Sequence, residues 1–266
     1  MMRALWSAAS GMTAQQLNVD VIANNLANVN TTAFKRDRAE FKDLIYQTLQ
    51  RENVYGGQGK PVNMQVGVGV RLSAIVKDFT GGSLQQTDNP LDLALDGEGF
   101  FAVLGPDGKV YYTRDGSFKL SPNGNNLMLV TADGYPVLDD SGNPIVFDSS
   151  EKDISVSPMG VISVRNPYGT TQEVATLGIY NFVNTQGLLS VGSNLYEPTE
   201  ASGQPGTRDD FEGRMGKVMQ GFLETSNIQI VKEMVDMIAA QRAYEINSKA
   251  IQAADEMLGI ANNLRR

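Results

Sequence analysis

Three carboxylates, Asp92, Asp96 and Glu98, lie close together around the tetrapeptide Asp96-Gly97-Glu98-Gly99. Carboxylates so grouped can bind calcium, or divide the acid and base roles of glycoside hydrolysis. The spacing does not match an EF-hand loop, and Asp-Gly is also a dipeptide that favours a tight hairpin turn. The turn is the stronger reading, so no active site is assigned. The chain contains no Cys and no His. That removes thiol nucleophiles, disulfides, zinc or haem held through Cys or His, and any Ser-His-Asp triad. No metal and no cofactor are expected.

Charge narrows the partners. Across 266 residues, 22 Lys+Arg stand against 30 Asp+Glu, a formal net charge of −8. A surface that neutralises phosphates needs clustered cations, so nucleic acid is not an expected partner. The excess is uneven: Arg71 to Arg214 holds 9 Lys+Arg against 19 Asp+Glu, and the two ends together hold 13 against 11. Polar residues Ser7, Ser10, Thr13 and Gln15 interrupt any signal-peptide core. No run approaches the roughly 18 apolar residues of a membrane span, so membrane insertion is not expected.

The two ends share a pentapeptide, Ile-Ala-Asn-Asn-Leu, at 22–26 and again at 260–264. Both copies sit in segments with a seven-residue apolar period. Leu5, Met12, Val19 and Leu26 form one series, and Ile230, Met237, Tyr244, Ile251 and Leu258 form another. Seven residues are two helical turns, so each series is one stripe along a helix. The first helix is predicted over about residues 3–28, roughly 39 Å long at 1.5 Å per residue, with Asn28, Asn30, Thr31 and Thr32 as stop signals. For the second helix, Ser226 and Gln229 have the spacing of a capping box. Among the first 34 residues only Arg3 and Asp20 are charged. A helix whose polar face is amides, hydroxyls and Ala suits burial within an assembly, and Gly11 costs about 1 kcal/mol relative to Ala, so its stability must come from partners.

The middle has a different period. Asp96-Gly97, Asp107-Gly108, Asp115-Gly116, Asn123-Gly124, Asp133-Gly134 and Ser141-Gly142 punctuate short apolar runs such as Phe100–Leu104. This predicts antiparallel, hairpin-rich β structure. The expected fold class is α+β: long terminal helices pairing as a coiled-coil-like domain, and a central, mainly antiparallel β domain. The helical domain is discontinuous, 1–70 with 215–266, and the β domain covers 71–214.

The stretch Asn24-Asn25-Leu26-Ala27-Asn28-Val29-Asn30-Thr31-Thr32-Ala33-Phe34-Lys35 resembles the N-terminal signature of the bacterial flagellar rod and hook family. Gly221–Asn227 and Gln241-Arg242-Ala243-Tyr244-Glu245-Ile246-Asn247-Ser248-Lys249 resemble its C-terminal signature, and Tyr112–Phe118 with Gly192–Tyr196 its β domain. Length, and the segment from Gln50 to Gly69 in the place of a rod-specific insert, point to the distal-rod branch. The resemblance implies a structural subunit, not an enzyme, that is exported by the flagellar type III apparatus. Such subunits assemble helically into a hollow, stiff driveshaft in the basal body, where the rod crosses the periplasm. Implied partners are further copies of itself, proximal rod proteins, the hook protein, and P- and L-ring proteins where a host builds them. The motif residues carried over are Asn24, Asn25, Asn28, Phe34, Lys35, Arg242, Glu245 and Asn247. The nine stripe residues are the expected self-assembly contacts. A proximal rod or hook-type protein is the alternative within the family, and an acidic β-rich carboxylate hydrolase is the competing class.

Overall fold

The two sequence periods become two kinds of element. The structure, a computed structural model, describes residues 2–50, 64–124, 126–148, 152–165, 170–208, 210 and 215–263. Most of the expected rod-specific stretch, 51–63, and the last residue of the second pentapeptide, Leu264, lie outside the described residues. Helix α1 spans Met2–Ala27 and helix α2 spans Ile230–Asn263. Neither is long and apolar enough to cross a membrane. Among the described residues nineteen strands lie between them in sequence and every strand ladder is antiparallel, so the chain is α+β.

Helix α1 stops where the Asn- and Thr-rich turn begins. Thr31 N–H donates to the Asn28 carbonyl at 3.1 Å, and Ala33 follows with φ +55°. The start of α2 departs from the capping-box expectation. It begins at Ile230, with Glu233 N–H bonded to the Gln229 carbonyl at 3.0 Å. Ser226 Oγ is buried with no hydrogen-bond partner. The reason is tertiary: Asn227 next to it is committed to hydrogen bonds with Arg36, Asp78 and Thr80, and Ile228 is buried, so this segment is held by partners far away in the chain.

The chain divides into two units. One comprises Met1–Ala27, Asp37–Lys77 and Gln229–Arg266; the other comprises Asn28–Arg36 and Asp78–Ile228. These limits differ from the sequence boundaries at 70/71 and 214/215. Strand Val70–Lys77 stays with the helices because it pairs with Asp37–Asp43, from Asp37 opposite Lys77 to Asp43 opposite Val70. Strands Lys217–Gln220 and Phe222–Glu224 go with the β unit because they pair with Leu93–Asp96 and Leu84–Gln86. A β-ladder is a run of main-chain hydrogen bonds between segments distant in sequence, which a local composition shift does not reveal.

Within the β unit a five-stranded sheet runs in the order Ile179–Tyr180, Phe100–Leu104, Val110–Thr113, Leu195–Glu197, Leu189–Gly192. The run Phe100–Leu104 shows how its core forms. Phe101 and Val103 enter one cluster with Leu95, Phe118, Val137, Ile162 and Ile179, and Phe100 and Ala102 enter a second with Tyr112, Leu138, Phe182 and Tyr196. Alternate side chains of a strand point to opposite faces, so a continuous apolar run serves a sheet covered on both sides. Of the expected turns, Asn123-Gly124 joins strands Lys119–Asn123 and Asn126–Val130, with Gly124 at φ +65°. Gly116 has a different role: a Cβ there would lie 1.6 Å from the Leu93 carbonyl oxygen, so glycine permits close approach of two backbones.

Candidate self-assembly surface

The two helices pack against each other inside the helical unit. A Cβ on Gly11 would meet Asn247 Nδ2 at 2.9 Å, and Asn25 Nδ2 donates to Glu233 Oε2 at 3.2 Å. Moving forward along α1 between these contacts means moving backward along α2, so the helices run antiparallel. Ala240 and Ala254 are buried on the same seven-residue series as Glu233 and Asn247. Small side chains there, with Ala8 and Gly11 on α1, let the two backbones come close.

The motif asparagines have a specific use. Asn25, 1% exposed, donates to the Asp37 carbonyl at 2.8 Å and accepts from the Asp37 N–H at 2.9 Å. A side-chain amide carries both a donor and an acceptor, so it can pair with a backbone as another peptide would. This fixes the start of strand Asp37–Asp43 against the end of α1. Asn24 reaches Asp37 Oδ2 at 3.5 Å, and Lys77 Nζ donates to Asp37 Oδ1 at 2.9 Å. In the β unit, Asn28 accepts from the Thr31 hydroxyl, Phe34 is half-buried, and Lys35 is 1% exposed against Glu224. On α2, Arg242 and Glu245 are exposed and Asn247 is half-buried.

The nine stripe residues all keep some surface. Leu5, Met12, Val19, Leu26, Met237, Ile251 and Leu258 are half-buried, whereas Ile230 and Tyr244 are exposed. Beside them lies apolar surface that the single seven-residue series does not include. Val231 is 77% exposed, and Met234, Val235, Ile238, Ile246, Met257, Ile260 and, on α1, Trp6 are exposed too. Residues 230, 231, 234, 235 and 238 recur at helical spacing and make one broad face on the first turns of α2. The signal was present in the sequence as apolar residues on more than one side of the helix, the pattern of a helix that is covered on more than one side.

The carboxylates considered first do not form a shared site. Asp92 is buried and accepts from Asn89 Nδ2 at 2.8 Å, Glu98 accepts from Asn181 Nδ2 at 3.2 Å, and Asp96 lies exposed opposite Lys217 in a ladder.

Comparison with known proteins bears on the same three regions. Residues 5–35 match the family described as flagella basal body rod protein, 94–164 the flagellar hook protein FlgE/F/G D1 domain, and 219–264 the flagellar basal body rod FlgEFG protein C-terminal domain. The chain is 51% identical to the flagellar basal-body rod protein FlgG of Borreliella burgdorferi over the whole of both chains. It is 46% identical to FlgG of Buchnera aphidicola subsp. Baizongia pistaciae, covering 97% of this chain and 98% of that one. With FlgG of Bacillus subtilis the identity is 39% over the whole of both.

Proposed function

The chain belongs to the family of the flagellar basal-body rod protein FlgG, and from that premise we propose that its copies stack helically into the hollow, stiff distal rod that carries motor torque to the hook. It is a structural rod subunit of the basal body, which assembles with other axial proteins, and not an enzyme. In the proposed assembly α1 and α2 pair in a coiled-coil-like manner, and the nine stripe residues contact neighbouring copies. Proximal rod proteins lie on one side and the hook protein on the other. P- and L-ring proteins surround the rod where a host builds them, and the type III apparatus exports the subunits.

The observation that supports this reading most directly is the bare apolar face of α2, Val231, Met234, Val235 and Ile238. Apolar surface removed from water contributes about 25 cal/mol per Å², so a face repeated in every copy favours association at each addition. A rod needs no catalysis; it needs many identical contacts that together resist twisting.

The test is to make Val235→Asp and Leu26→Asp separately in motile cells and image their basal bodies. Val235 is exposed, so its substitution should leave the stability of the single chain within about 0.5 kcal/mol while rods fail to form. Leu26→Asp should block assembly with the β unit still folded. Full-length rods in both strains would remove the helices from the assembly contacts.

A further inference from the structure

The chain passes between its two units four times, at 27/28, 36/37, 77/78 and 228/229. On the β-unit side the segments that make these passages are bonded to one another. Ala33 N–H donates to the Glu224 carbonyl at 2.8 Å, and Asp78 N–H donates to the Arg36 carbonyl at 2.9 Å. Asn227 accepts from Arg36 N–H at 2.9 Å and donates to the carbonyls of Asp78 at 2.8 Å and Thr80 at 3.1 Å. Beneath them sits an ionic cluster. Glu224 receives Lys35 Nζ at 2.6 Å, Gly82 N–H at 2.8 Å and Arg114 Nε at 3.0 Å, and all three charged side chains are no more than 4% exposed.

Every strong donor in this cluster has somewhere to go. Lys35 also donates to the Thr80 carbonyl at 2.8 Å, and Arg114 Nη1 donates to the Gly97 and Gly99 carbonyls, each at 2.7 Å. A fully satisfied buried ionic cluster tolerates one arrangement and penalises any that separates its members. The space is equally restrictive: a Cβ on Gly82 would lie 1.9 Å from the Thr225 carbonyl oxygen. Ala33, buried at a positive φ, holds a conformation that an L-residue keeps only when its surroundings impose it.

We propose that Lys35, Glu224 and Arg114 form a clamp that folds segments 28–36, 78–82 and 224–228 into the β unit as one piece, whether or not the terminal helices are paired. In an unassembled copy the chain is then ordered up to residues 28 and 228, and the helices are anchored at fixed points when they come together. Lys35 and Glu224 act as positioning residues here, not as assembly contacts.

Hydrogen exchange followed by mass spectrometry on the purified, unassembled full chain tests this without reference to the rod. In the wild type, the amides of Ala33, Arg36, Asp78 and Gly82 should be protected along with strand Phe100–Leu104. In Lys35→Met, exchange in 33–36 and 78–82 should accelerate by about a hundredfold, the scale expected when one partner of a buried ion pair is removed. Strand Phe100–Leu104 should stay protected. Lys109→Met, which removes the exposed Lys109–Glu197 pair, serves as the control and should change neither region. Unchanged exchange in Lys35→Met overturns the proposal, and so does loss of protection throughout the β unit, which would make Lys35 a general core residue. Fast exchange of 28–36 in the wild type would overturn it as well.

Discussion

Glu224 is the residue whose surroundings bear most on stability. Burial by itself would raise its pKa, but the charges of Arg114 and Lys35 and the hydrogen bonds from Lys35 and Gly82 outweigh burial and hold the carboxyl below its ordinary value. Lys35 is moved the other way from an ordinary ion-paired lysine: burial, then the Arg114 charge, lowers its pKa against the opposing pull of Glu224. For an acid with a depressed native pKa, the linked stability is complete above the unfolded value, near pH 4.3, and is lost as pH falls through the native value. Thermal unfolding of the full chain between about pH 5 and about pH 2 should therefore show a falling midpoint. Glu224→Gln should flatten that dependence, because two cations then stay buried facing a neutral amide at every pH. An equally steep acid slope in the variant would place the titration elsewhere. Lys35 stood out in the sequence as the end of a motif, but its acidic partner could not be read there, being 189 residues away.

At the scale of elements, helix pairing turns on size. Gly11 weakens an isolated helix by about 1 kcal/mol relative to Ala, yet it sits against the Asn247 side chain of α2. The neighbour it would meet is the end of the Asn247 side chain, which can swing aside. Gly11→Ala should therefore be tolerated, with better helix propensity offsetting a small displacement. Gly11→Leu cannot be accommodated that way and should separate the helices. Circular dichroism during heating would register this as an earlier loss of helical signal in the Leu variant alone. Equal behaviour of the two variants would mean that α1 and α2 do not meet at Gly11. The helices themselves were legible from their seven-residue period, and Met2–Ala27 follows the predicted limits closely. Which face meets the partner was less legible: Glu233, Ala240, Asn247 and Ala254 lie beside the chosen series, and α2 is apolar on more than one side.

Across the whole molecule the charge is divided between the units. The β unit, 28–36 with 78–228, holds 10 Lys+Arg against 20 Asp+Glu, and the helical unit holds 12 against 10. In an array, acidic β units brought together repel, while apolar helix faces attract regardless of salt. Screening shortens from about 30 Å at 0.01 M salt to about 10 Å at 0.1 M. Light scattering from the purified chain should consequently show association at lower protein concentration as salt rises. Association that weakens with salt would mean that attraction between opposite charges on neighbouring copies dominates. The amino-acid sequence by itself determined the kinds of element, the acidic middle, the absence of Cys and His chemistry, and the α+β class, because composition and short periods are local properties. Only the tertiary structure decided that 28–36 and 215–228 belong with the β unit, that Asn25 pairs with the backbone of Asp37, and that Lys35 is buried against Glu224 and Arg114. Those outcomes depend on ladders and ion pairs between segments far apart in the chain, where no local pattern names the partner.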